Sequence, residues 1–206
     1  LVGAFRQPDL VLIDPEVLDT LPDAVFRAGM AEVIKYGCIW DPEILDLIMS
    51  EYKSRMIELI ERCVSIKIKV VEEDETETGL RRILNFGHTF GHAIEAGLGY
   101  GAWLHGEGVA AGMVMAAQLS QRLGLVEQAF VERLVALVRR AGLPVAGPSL
   151  SESDNAGRYI ELMRVDKKSE GGEIKFVLID GPGKAVVRGA PEALVREVID
   201  ACCLRM

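Results

Sequence analysis

Cysteine is scarce and poorly placed for chemistry. Cys38, Cys63, Cys202 and Cys203 form no C-x-x-C pair and no regular framework. That argues against a zinc-thiolate site and a disulfide-stapled fold, and reads as reduced thiols in a cytoplasmic protein. Basic residues are in the minority: 23 Lys and Arg face 31 Asp and Glu, a net charge of -8. Nucleic acid and anionic membrane surfaces favour the opposite balance. An anionic substrate could still bind, through a local cluster of Lys and Arg. Long apolar runs are missing too. The longest, Val109 to Ala117, is broken by Gly112 and too short to span a bilayer. There is no repeat and no low-complexity tract. An initiating Met is also lacking: the chain opens "LVGAFRQPDLVLID", with an apolar run already at 10–14. This reads as the middle of a domain and predicts that an N-terminal part precedes it.

What is present suits a globular fold. The 206 residues are 50% hydrophobic and 26% charged, enough for one domain, or one and a part, with a sizeable core. "LVLID" at 10–14 predicts a short buried strand. From there the spacing is helical: 23–40, 41–52, 54–75, 81–97, 107–124, 127–142, 155–169 and 191–204. Asp41-Pro42 offers a cap and first-turn pair. The acidic run that ends the third helix reads as a solvated face. "EIKFVLI" and "KAVVRG" flank "DGPG" and predict a β-hairpin. The fold class is therefore mainly α, with a short N-terminal strand and a small hairpin near the C-terminus.

All three histidines fall within Asn85 to Ala117. His88 and His92 stand four apart, so on a helix they share a face, about 40° apart. That spacing supports two metal ligands, although Thr89 stands where a zinc protease has Glu. Two helix histidines satisfied by polar neighbours remain equally open, even with His105 nearby. A carboxylate ligand could come from Glu32, Glu77, Glu95 or Glu107. Glu32 sits in "AGMAEVIKYG" among apolar neighbours, with Lys35 one turn later. It is either a buried ligand or half of a solvent-facing i,i+3 pair. Gly87 and Gly91 cost helix stability and suggest close approach of another backbone or a ligand. "GEGVAAG" at 106–112 imitates a dinucleotide-binding loop but follows no strand, so its small residues are read as helix packing. "GLRRILN" could supply a guanidinium for phosphate or carboxylate.

"AGMAEVIKYG", "DETETGLRRILNFGHTFGHAIE", "YGAWLHGEGVAAGM" and "DKK", in that order, resemble the C-terminal half of 3-dehydroquinate synthase. The resemblance covers nearly the whole chain. It implies that residues 1–22 are the remnant of a link to an NAD-binding domain, and that 23–206 form the helical metal- and substrate-binding domain. It implies Glu32, His88 and His105 as ligands of one divalent ion, zinc or cobalt, with His92 turned toward substrate. Glu77 and His92 match the family's proton-transfer residues. Lys35, Lys67, Arg81, Asn85, Lys167 and Lys168 match its substrate contacts, and Val17, Leu18, Asp19 and Thr20 a segment touching NAD. The family's substrate-binding Lys and Asn that precede this segment, and its ribose-anchoring aspartate, have no counterpart here. The implied reaction is an NAD- and metal-dependent elimination of phosphate from 3-deoxy-D-arabino-heptulosonate 7-phosphate, closing a carbocycle in the shikimate pathway. The family also implies a homodimer for the whole enzyme, and inactivity for this part alone. Alternatives are a 2-epi-5-epi-valiolone or 2-deoxy-scyllo-inosose synthase type of cyclase, or a non-catalytic metal-binding or assembly domain.

Overall fold

The computed structural model describes residues 6–50, 52–99, 101–166 and 174–204. Eight α-helices are found there: α1 Asp23–Ile39, α2 Glu43–Met49, α3 Met56–Glu73, α4 His88–Leu98, α5 His105–Arg122, α6 Gln128–Arg140, α7 Asn155–Asp166 and α8 Glu192–Cys202. Strands β1 (Lys175–Ile179) and β2 (Ala185–Gly189) make an antiparallel hairpin with Val177 opposite Val187. Among the described residues no helix is long and apolar enough to cross a membrane.

Helix α5 is the centre of the fold. Its run of Gly, Ala, Val and Met is buried on nearly every side, and α1, α4, α6, α8 and β1 pack around it. A helix that is apolar all round has no solvent face to orient it, so neighbours must surround it. Small residues set how closely they come. A Cβ on Gly91 would lie 3.1 Å from the Gly108 carbonyl, and one on Gly106 would collide with the backbone of Ala28. The glycines of "GEGVAAG" therefore serve packing against α1 and α4. Ser120 ties the hairpin to α5: its hydroxyl accepts from the Ile179 amide at 3.0 Å and donates to the Ala116 carbonyl at 2.8 Å.

Three expectations change. Residues 10–14 are not a strand: Leu10, Val11 and Leu12 are 75%, 62% and 86% exposed, and no described segment lies beside them to complete a ladder. The helix expected over 81–97 is two elements, a 3-10 turn at Leu80–Asn85 and then α4. The break is at Gly87, whose φ of +83° reverses the chain and whose missing Cβ would lie 2.8 Å from the Val109 carbonyl. The segment expected as one helix at 41–52 stops at Met49, and a second 3-10 turn at Tyr52–Arg55 leads into α3. Asp41 does cap α2, accepting the Glu43 amide at 3.1 Å.

Candidate metal centre

The reversal at Gly87 makes His88 the first residue of α4, while His105 is the first residue of α5. Both imidazoles thus stand at helix starts, and Glu32 reaches them from the middle of α1. The three rings gather closely: His88 lies 5.2 Å from His105 and 5.6 Å from His92, centroid to centroid, and His92 lies 6.0 Å from His105. Two overlapping sets could hold an ion. Glu32, His88 and His105 each offer a ligand atom within 4.8 Å of the others, and so do His92, Glu95 and His105. His88 and His92, the pair that helical spacing nominates, do not share a set.

Hydrogen bonding fixes the tautomer of His88. Its Nδ1 faces the Phe86 carbonyl at 3.2 Å, and a carbonyl only accepts, so Nδ1 carries the proton. Burial first, and Lys35 second, push the His88 pKa down to about 4, so the ring is neutral at pH 7. The lone pair on Nε2 then faces Glu32 Oε1 across 3.9 Å. That oxygen is itself buried without a hydrogen-bond partner. Two acceptors turned toward each other in a buried place repel, unless a cation lies between them. Their separation is close to the roughly 3–4 Å between neighbouring ligands of one tetrahedral ion bound at about 2.0–2.2 Å. The donor set, one carboxylate and two imidazoles, suits a divalent transition ion.

Lys35 occupies the other oxygen, donating to Glu32 Oε2 at 2.5 Å. The i,i+3 pair is therefore real, but its lysine does not face solvent: Lys35 is 3% exposed. Burial holds its pKa below the usual lysine value, partly opposed by Glu32. His105 is oriented by Glu95, whose carboxylate oxygens lie 3.2 and 3.3 Å from Nδ1. Glu107 caps α5, accepting the Leu104 amide at 2.8 Å, which occupies it away from the histidines.

The remaining residues form a second group on the 74–85 segment. Asn85 Nδ2 donates to Glu77 Oε1 at 2.5 Å. Glu77 has φ of +59°, a left-handed conformation that costs a non-glycine residue about 1–2 kcal/mol. Arg81 donates from Nη1 to the Glu75 carbonyl at 2.8 Å. Asp74 organises this loop, accepting the amides of Thr78, Gly79 and Arg81 at 3.1, 2.8 and 2.9 Å. These bonds hold its carboxyl below the usual range, the Arg81 amide first. Asp74 belongs to the acidic run expected to be merely solvated, and nothing in composition distinguished it. Lys67, on α3, is near enough to Lys35 to lower its pKa. Lys167 and Lys168 lie outside the described residues. Val17 to Thr20 fall in a 3-10 turn, Pro15–Thr20, with no buried residue. Leu18 and Asp19 line a cavity of about 620 Å³ together with Phe26, Arg27, Tyr52 and Arg140.

The family model described as 3-dehydroquinate synthase C-terminal matches residues 29–169. The chain belongs to that family. It is similar to the 3-dehydroquinate synthase of Nitrosospira multiformis, at 46% identity over 98% of this chain and 56% of the relative. That of Acidithiobacillus ferrooxidans matches equally well, at 46% identity and the same coverage. The chain thus spans about half the length of the 3-dehydroquinate synthases it matches. In three dimensions it is similar to 2-epi-5-epi-valiolone synthase from Streptomyces hygroscopicus subsp. jinggangensis 5008, solved with NAD+ and Zn2+ bound. The TM-score is 0.85 at 26% identity, over 98% of this chain and 57% of that one.

Proposed function

We propose that this chain is the metal- and substrate-binding half of a 3-dehydroquinate synthase, converting 3-deoxy-D-arabino-heptulosonate 7-phosphate to a carbocycle with loss of phosphate. The observation that carries the reading is the pair of facing acceptors, His88 Nε2 and the unpartnered Glu32 Oε1, 3.9 Å apart. Glu32, His88 and His105 hold the ion, zinc or cobalt. When bound, the ion would supply Lewis-acid chemistry to substrate oxygens, and NAD would supply reversible hydride chemistry.

The side chains do the rest. Lys35 keeps a cation beside Glu32, offsetting negative charge brought by an acidic substrate. Arg81, Asn85, Lys67, Lys167 and Lys168 bind the carboxylate and phosphate of that substrate. His92, close to both other rings, and Glu77, hydrogen-bonded to Asn85, transfer protons. Val17, Leu18, Asp19 and Thr20 touch NAD held by a preceding domain, with 1–22 as the link and 23–206 as the helical domain. The whole enzyme is a cytoplasmic homodimer.

A second reading, another sugar-phosphate cyclase, is favoured by the structural likeness to 2-epi-5-epi-valiolone synthase, but identity there is 26% against 46% for the 3-dehydroquinate synthases. The test is reconstitution with the N-terminal half of a 3-dehydroquinate synthase and measurement of phosphate release. Turnover of 3-deoxy-D-arabino-heptulosonate 7-phosphate supports the first reading. Preference for another sugar phosphate moves the assignment to the cyclitol-forming relatives, and metal binding without turnover of either leaves a non-catalytic domain.

A further inference from the structure

His105 is shared by both possible ligand sets, and Glu95 belongs to one of them. What Glu95 does therefore decides how the cluster works. Its carboxylate meets one nitrogen of His105, Nδ1, with both oxygens, at 3.2 and 3.3 Å. A carboxylate oxygen accepts, so Nδ1–H is the donor, and the lone pair is placed on Nε2. Glu95 is itself held firmly. Its side chain is 15% exposed, whereas that of His105 is 51% exposed. A Cβ on Gly108 would stand 3.6 Å from Glu95 Cγ, and one on Gly91 would stand 3.1 Å from the Gly108 backbone. The glycine-to-glycine contact of α4 with α5 thus lays Glu95 across Gly108, one turn from His105 on the same face of α5. An exposed imidazole at a helix start has little else to orient it.

We infer that Glu95 is the positioning residue of the metal centre: it holds His105 in the tautomer and rotation that present Nε2 to the ion, and does not bind the ion itself. This rests on the reading of Glu32, His88 and His105 as ligands. An outer carboxylate of this kind raises the basicity of the imidazole and removes the entropy cost of orienting it on binding.

The test uses this chain and zinc or cobalt alone, with affinity and the visible cobalt spectrum as readouts. Glu95→Ala should weaken zinc binding about 10- to 100-fold, as loss of such partners typically does, and alter the cobalt bands. Glu95→Gln, whose amide oxygen accepts the same N–H, should fall between wild type and Glu95→Ala. Neither variant should change the melting temperature of the metal-free chain. Wild-type affinity and spectrum in Glu95→Ala overturn the inference, as does loss of zinc in both Glu95→Ala and His92→Ala with retention in Glu32→Ala and His88→Ala, which makes Glu95 a ligand. Absence of zinc binding by the wild-type chain overturns the ligand reading, and this inference falls with it.

Discussion

Nε2 of His88 faces Oε1 of Glu32 at 3.9 Å, and both atoms are acceptors. Helix α1 carries the carboxylate and α4 the imidazole, so only their packing on α5 creates the pair. The Phe86 carbonyl is what makes Nε2 an acceptor.

Single substitutions separate the possible ligand sets. Glu32→Ala, His88→Ala and His105→Ala should each abolish stoichiometric zinc, measured by elemental analysis. His92→Ala should keep the metal and impair only proton transfer in the reconstituted enzyme. Loss of zinc in His92→Ala with retention in His105→Ala would instead restore the simple i,i+4 pair.

The metal-free chain should lose stability as the solution is acidified from about pH 6.5 toward 4. His88 has a folded pKa of about 4, below its ordinary value, so over that window the unfolded chain binds a proton that the folded chain refuses. Stability is therefore greatest above the unfolded value and declines as pH falls, by on the order of 1–3 kcal/mol from this residue. Denaturant titrations of wild type and His88→Gln across the window check it. An identical pH slope in the variant would count against the assignment.

Asp74→Ala should leave the helices intact and disorder the segment that carries Glu77 and Arg81, because three backbone amides lose one acceptor. In the reconstituted enzyme turnover should fall roughly 10- to 100-fold, as misplacement of catalytic groups generally does, while zinc content stays whole. Steady-state kinetics with metal analysis measure both. Unchanged kcat and KM would remove Asp74 from the site's support.

Ser120→Ala should destabilise the domain by about 1–3 kcal/mol, since the buried Ile179 amide would lose its acceptor. Urea unfolding gives the value, and a change below about 0.5 kcal/mol would indicate that another acceptor takes over.

The chain alone should bind metal yet release no phosphate from substrate, even with NAD added. Nothing in its described residues forms the strand, glycine-rich loop and helix that hold a dinucleotide. Robust phosphate release by the purified 206-residue chain would refute this.

Much of the architecture was legible because helices announce themselves locally. Apolar residues at helical spacing marked each described helix, although α4 begins only at His88 rather than 81. Apolar runs around a turn marked the hairpin, and the glycines of α4 and α5 signalled backbone contact. The strand expected at 10–14 fails for a non-local reason: an apolar run becomes a strand only with a neighbour to pair with. The missed break at Gly87 is similar, since a glycine inside a helical pattern is compatible with either continuation or reversal, and its contact with Met113 and Val109 on another helix decides.

The sequence by itself determined the kinds of chemistry available: three imidazoles, a carboxylate on an apolar helix, and motifs whose family resemblance implies Glu32, His88 and His105 as ligands. Their geometry was the work of tertiary structure. Helical period places His88 with His92, because sequence spacing knows only one helix at a time. Packing of α1, α4 and α5 brings Glu32 to His88, buries Lys35 at 3% exposure, and sets the Phe86 carbonyl and Glu95 against the Nδ1 atoms of two rings. Tautomer, charge state and lone-pair direction depend on burial and on acceptors aimed by the chain reversal at Gly87 and by the packing of α4 on α5, and neither quantity is encoded in local periodicity.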